Sequence, residues 1–247
     1  IIDYGTYPEQ KGMQWKKKDI VYTLHREYPD AIEVDELIYV AVKDLIEKVG
    51  DTVYYREDGQ EISNNLILID TGWKIESVKQ AIRDSRYKHI SVGCKGQGIS
   101  AKDKPFMDRN YSRGSQKHFH CATIPSYDRI TSIVYMDTHF FKTLFHKGIQ
   151  TRLGIASSAS LYTPERISEH LMLAKHCTYE PAIEDRNEKE QRSVIVWNNE
   201  KEDDTEFFDN IIGAMAGLFK LGCEIRSRHK KRGTFNIQDY IDKQGEL

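Results

Sequence analysis

Two aspartates stand where carboxylate chemistry can be done. Asp70 ends the run Leu66-Ile67-Leu68-Ile69 and is followed by Thr71-Gly72. An unbroken apolar run reads as a central strand buried on both faces, and open α/β sheets place their reactive crevices beyond the carboxyl ends of such strands. A carboxylate there suits a hard divalent cation. An Asp before a turn is equally suited to capping the next helix. Asp209 lies in the helical segment 203–221, on the same side as Ile212, Gly213 and Ala216, so it points along a stripe that approaches a sheet. A solvated acid belongs on the other side. Asp203, Asp204 and Glu206 already supply the negative charge that a helix N-terminus favours. Glu206, one turn before Asp209, could add a ligand oxygen or orient a water. Carboxylates from separate elements at one sheet edge match a two-metal phosphodiesterase, in which two Mg²⁺ or Mn²⁺ ions about 3.5–4 Å apart stabilise the attacking and leaving oxygens.

Other chemistries are less well provided for. His118-Phe119-His120-Cys121 would place two imidazoles on one strand face, but a zinc site still needs a fourth ligand from Cys94, His176 or Cys177. His170 and His176 are six apart, not the four of a helical zinc pair. The four cysteines, Cys94, Cys121, Cys177 and Cys223, show no CxxC spacing and read as free thiols. No GxxxxGK[ST] loop occurs, so the chain should not hydrolyse ATP.

Elements that position these residues follow from periodicity. A helix is expected over 32–49, with Val34, Leu37, Ile38, Ala41, Leu45 and Val49 on its apolar stripe. Asp58-Gly59 centres a small hairpin over 52–63. The strand ending at Asp70, a helix through Val78, Ala81 and Ile82, and a strand over 89–93 form a parallel crossover unit. Residues 94–117 are glycine-rich and basic, with Lys95, Lys102, Lys104, Arg109, Arg113 and Lys117; they read as a mobile loop that contacts phosphates, with Tyr111 available to a base or sugar. A strand over 130–135 runs into Asp137 and a helix carrying Phe140, Phe141, Leu144 and Phe145; a helix over 164–177 and a strand over 194–197 follow. The charge run 184–192 reads as a solvated connection. The basic run 226–232 serves polyanion contact or protein docking equally well.

Net charge is −2, from 36 Lys and Arg against 38 Asp and Glu, with 39% apolar residues. Neither a cationic nucleic-acid coat nor an acidic disordered chain has this composition. No run approaches the roughly 18–20 apolar residues of a membrane span, so no membrane association is expected. The chain opens on Ile1-Ile2-Asp3-Tyr4-Gly5, the reading of a strand end, and further chain is expected upstream.

Three segments, in order, resemble the C-terminal nuclease domain of the large terminase subunit of tailed bacteriophages, particularly its lambda-like branch. They are Ile1-Ile2-Asp3-Tyr4-Gly5 with Thr6-Tyr7-Pro8-Glu9-Gln10; Leu68-Ile69-Asp70-Thr71-Gly72 with the later Val92-Gly93-Cys94-Lys95-Gly96 turn; and 204–222, headed by Phe207-Phe208-Asp209-Asn210. Residues 133–142 and His170-Leu171 fit the same order. The resemblance implies an α/β, RNase H-like mixed sheet flanked by helices over 1–222, with a basic loop insertion and a basic tail over 223–247. It implies an endonuclease that cuts concatemeric double-stranded DNA with two Mg²⁺ or Mn²⁺ ions, in the host cytoplasm, alongside a portal protein and a small terminase subunit. Asp70 and Asp209 carry over as metal-binding acids, with Glu206 and Asp3 as further candidates. Asp3 matches the family's second strand, which places the first-strand acid and the packaging ATPase upstream of Ile1. Alternatives are an integrase- or resolvase-type phosphotransferase, or a non-catalytic DNA-binding or portal-docking module.

Overall fold

A computed structural model describes residues 1–10, 20–56, 58–127, 131–155, 157–162, 167–199 and 204–223. The starts of the strand expected at 130, of the helix at 164 and of the last helix at 203, and the basic run 226–232, lie outside the described residues. In chain order the elements are α1 (Leu24–Glu27), α2 (Val34–Asp51), β1 (Tyr54–Tyr55), β2 (Glu61–Ile62), β3 (Ile67–Asp70), α3 (Ile75–Asp84), β4 (Ser91–Gln97), β5 (Gln116–His118), β6 (Cys121–Pro125), β7 (Ser132–Asp137), α4 (Thr138–Gln150), α5 (Leu171–Thr178), β8 (Ala182–Asn187), β9 (Arg192–Trp197) and α6 (Glu206–Lys220). None of the described helices is long and apolar enough to cross a membrane.

A five-stranded mixed sheet in the order β3-β4-β7-β6-β5 organises the chain. β3, β4 and β7 run parallel, and β6 and β5 continue antiparallel from β7. Strand alternation sorts each side chain to one face. Ile67 and Ile69 meet Ile46 of α2 and Val78 and Ile82 of α3. Leu68, Val92, Cys94, Val134, Met136 and Cys121 face the opposite way, onto α4, α5 and α6 through Phe141, Phe145, Met172, Leu173, Phe208, Ile212 and Ala216. By the same alternation Asp70 shares the α6 face with Leu68, whereas Lys95 falls on the other face.

Several expectations are corrected. In α2 the predicted stripe included Val34 and Leu45, which are exposed, and Ile46 is buried instead; the covered side is the one that Ile38, Val42 and Val49 share with Ile46. Residues 1–5 belong to none of the strands. They run beside 160–162, where the Tyr162 N–H donates to the Ile1 carbonyl. β4 continues through Lys95 to Gln97 because Lys95, Gly96 and Gln97 pair with Tyr135, Met136 and Asp137. Gly93 is required there, since a Cβ on it would lie 2.8 Å from the Thr71 methyl, and Thr71 is buried with its hydroxyl donating to the Cys94 carbonyl.

The basic segment after β4 is a packed layer, not a loose loop. Ile99, Ala101 and Phe106 are buried, Ile99 and Phe106 pack with Ala122, Tyr111 and Tyr135, and the Ala101 N–H donates to Asp185. Asp185 belongs to the charge run 184–192, which folds as the antiparallel hairpin β8–β9, because Val194-Ile195-Val196 pairs across it with Ile183-Glu184-Asp185. His118-Phe119-His120-Cys121 is a tight turn joining β5 to β6, with His118 paired to Cys121 and His120 at φ 52°. The two imidazoles therefore do not share a strand face, and His120 turns to Asp137 at 3.1 Å.

Two histidines knit α4 to its neighbours. His139 Nδ1 accepts from the Trp197 N–H, and His146 Nε2 donates to the Cys177 carbonyl while its ring lies 4.4 Å from that of Trp197. Burial lowers the pKa of both below the ordinary 6.5. The folded chain then binds these protons less readily than the unfolded chain, so stability is lost as pH falls from 6.5 towards their folded values. Melting temperatures from pH 7 to pH 5 should decline, and decline less steeply in His146→Gln.

A candidate acid cleft between β3 and α6

The Asp70 turn is built from its own backbone. The Asp70 carboxylate accepts from the Gly72 N–H at 3.2 Å. The following helix, α3, is preceded by Lys74 at φ 50° and has no side-chain cap. Asp70 therefore does not cap α3, and its exposed carboxylate stands at the carboxyl end of a strand that, among the described residues, lies at the sheet edge and not at its centre as expected. Beside it, burial followed by the charge of Asp70 pushes the Cys94 thiol up to about 12. Cys94 is thus a neutral thiol at ordinary pH.

α6 brings the second acid. Phe207, Phe208, Ile212, Gly213, Ala216 and Gly217 are its buried residues, and their spacing of one, three and four fixes which side meets the sheet. Glu206 and Asp209 fall in its first turn. Asp70, Glu206 and Asp209 all line one cavity of about 640 Å³, with Asn64, Asn65 and Asn210 as further polar walls and Leu66, Leu68, Ile212 and Leu218 as apolar ones. Three of the four predicted acids are brought together. Asp3 is not among the lining residues; its carboxylate accepts from the Tyr54 hydroxyl at 3.3 Å. The adjacent Tyr4 anchors this segment, its hydroxyl donating to the Glu169 carbonyl and its ring set edge-on to Phe207.

The largest difference from expectation lies beneath Asp209. Lys142 of α4 is only 7% exposed and Glu180 6%, and the Lys142 ammonium donates to both Glu180 oxygens at 2.7 and 2.6 Å. The same ammonium stands 3.0 Å from Asp209 Oδ1 and 5.1 Å from the centre of the Phe208 ring. Burial pushes the Asp209 carboxyl above its usual range, Lys142 pulls it down, and the charges of Glu180 and Glu206 push it up again. Half of the Asp209 side chain, 51%, stays exposed, and its open side is the cavity.

The six predicted phosphate-binding bases line a different surface. None is among the residues lining the cavity. Lys95, Lys102, Lys104, Arg113 and Lys117 are exposed. Arg109 donates to the Gln97 amide oxygen and the Lys104 carbonyl, and Lys117 lies 5.7 Å over the Tyr111 ring. Tyr111 packs against Phe106. Among the described residues no group of three or more His, Cys, Asp or Glu side chains is arranged to hold a metal ion, which applies to the His118–Cys121 turn as well. Against protein-family models, curated proteins and solved structures, the chain shows no match.

Proposed function

We propose that the chain is a divalent-cation-dependent DNA endonuclease domain with an RNase H-like fold, of the kind carried by phage terminase large subunits and acting with a portal protein and a small subunit in the host cytoplasm. The observation that carries this reading is the convergence of Asp70 and Asp209, from β3 and α6, on one cavity that Glu206 also lines. The mixed sheet with helices on its α6 face is the scaffold such a site needs. β3 is an edge strand among the described residues, so a strand bearing a further acid has an edge to pair with beside Asp70.

Among the described residues no complete two-ion ligand set is present, since no three acids there stand close enough to share an ion and Asp209 already has an ammonium partner. A bound divalent ion would supply water activation and stabilisation of the leaving oxygen. The residues themselves supply two carboxylates held by secondary structure, a Gly72 N–H that orients Asp70, and apolar walls that limit water. The exposed bases after β4 would track the phosphate backbone, with no feature for reading bases.

Nicking of supercoiled plasmid in Mn²⁺ tests the reading. The wild-type chain should nick, and Asp70→Ala and Asp209→Ala should each lose at least about 100-fold in rate, the kinetic equivalent of a few kcal/mol of charge stabilisation. Equal rates in all three contradict it. That no three-acid group stands among the described residues favours a second reading, a DNA-binding or portal-docking module of the same fold. That reading predicts plasmid retention in gel shifts that Asp70→Ala leaves unchanged.

A further inference from the structure

We propose that the carboxyl end of β7 holds a phosphate seat, in which His120 donates through Nε2 to a phosphate oxygen of the DNA backbone while Arg109 and Lys117 supply positive charge around it. The proposal rests on the DNA reading and gives the bases after β4 a fixed partner. His120 sits at φ 52° in the two-residue turn between β5 and β6, a left-handed conformation unfavourable for a residue with a Cβ. Its carbonyl accepts from the Asp137 N–H, its N–H donates to Met107 Sδ, and its ring stacks on Phe140 with centroids 3.6 Å apart and planes 8° from parallel. Asp137 is buried, with Oδ1 on the Phe140 N–H and Oδ2 on His120 Nδ1 at 3.1 Å. A carboxylate oxygen only accepts, so Nδ1 carries the proton. Nε2 makes no hydrogen bond among the described residues, and the His120 side chain is 23% exposed.

Register brings the cations to the same end of the same sheet face. Asp137 pairs with Gln97 across β7 and β4, and the Arg109 guanidinium donates to Gln97 Oε1 at 2.8 Å. Tyr135, two residues before Asp137 and so about 7 Å away on that face, stands in line with Ala122 and Lys117. Tyr111 packs in one cluster with Ala122 and Tyr135, and the Lys117 ammonium lies 5.7 Å over its ring. The Tyr111 hydroxyl is buried without a hydrogen-bond partner. Burial raises its pKa, Arg109 lowers it and Asp137 raises it again, so charges from both sides of the seat reach it. When both ring nitrogens of His120 donate, the ring is an imidazolium, and Asp137 offsets its charge. Two cations and an oriented imidazole nitrogen suit an anion with several oxygens. Lys102, Lys104 and Arg113 extend the positive surface along the same segment and are exposed, which favours a polyanion over a single small ion.

Imidazole nitrogen NMR on the ¹⁵N-labelled full chain, at one fixed pH, tests the proposal, with His120 assigned by the signals lost in His120→Gln and binding followed on the amide signals. A short duplex DNA should move the His120 Nε2 signal saturably toward the imidazolium position, with Nδ1 keeping its proton. Arg109→Gln, which leaves the turn intact, should weaken duplex binding about tenfold, the loss of one charge-assisted contact, with melting temperature as the control for folding. Bound duplex that leaves His120 Nε2 unmoved overturns the proposal and leaves the DNA reading standing. Movement with inorganic phosphate but not with bound duplex also overturns it, because the backbone is then not the occupant. Unchanged duplex affinity in Arg109→Gln overturns it as well. A duplex that binds nowhere on the chain removes the DNA reading and the proposal with it.

Discussion

Glu180→Gln should destabilise the chain by about 3–5 kcal/mol, the cost of breaking a buried ion pair by removing one partner. Wild-type Lys142 has two carboxylate oxygens of Glu180 within 2.7 Å. The neutral amide keeps one acceptor but no charge, and the ammonium is left facing only the half-exposed Asp209. Replacing both members, Lys142→Met with Glu180→Gln, should restore most of the loss, since a methionine fills the same stem volume and no buried charge remains uncompensated. Urea unfolding of the two single variants and the pair gives the coupling directly. A single-variant loss below about 1 kcal/mol would place the pair with surface salt bridges and contradict its burial.

Phe208→Ala should cost about 3–5 kcal/mol by the same measurement, the range for emptying a fully buried aromatic site. Phe208 is 0% exposed and meets Phe145, His146 and Trp197 at ring distances of 5.9, 5.4 and 5.8 Å. These partners come from α4 and β9, so the cavity left by the ring cannot collapse without moving two elements. Because Asp209 is the next residue and Lys142 sits on the ring face, the substitution should also loosen the acid. Nicking activity should fall further than the unfolded fraction alone explains.

Much of the scaffold was legible in local pattern. The apolar run before Asp70, the Asp58-Gly59 turn, and the Ile212-Gly213-Ala216 stripe each resolve into the expected element, because burial and turn geometry are encoded over a few residues. The alternation that sends Leu68 and Asp70 to the α6 face was also present in the sequence, but it acquires meaning only when α2 and α3 are seen to take Ile67 and Ile69. The strand expected over 194–197 is part of β9, whereas 184–192 reads as a solvated connection because a strand exposed along one face and rich in Glu and Arg carries that composition; only its pairing identifies it. Segment 94–117 reads as a loop for a related reason, although β4 takes its first residues. Its charge dominates the count, and the few apolar residues that bury it, Ile99, Ala101 and Phe106, are too widely spaced to give a period.

The Lys142–Glu180 pair was the main omission at the site. One signal was available, a lysine between Phe141 and Phe145 on the buried side of an amphipathic helix. Its partner follows α5 at the start of an irregular connection, 38 residues away, where no periodicity announces it. The tie of Asp3 to Tyr54 was equally hidden, since it depends on the open end of the β1–β2 hairpin meeting the first residues of the chain.

The claim that Asp70 and Asp209 belong to one cation-binding cleft is tested most directly by Mn²⁺-induced line broadening in an amide-resolved NMR spectrum at substoichiometric metal. Paramagnetic broadening reports proximity to the ion irrespective of activity. The amide signals of Gly72, beside Asp70, and Asn210, beside Asp209, should broaden together, and Asp70→Asn should abolish both effects. Broadening confined to one of the two, or centred on the acidic hairpin residues Glu184 and Glu188, would contradict a shared cleft.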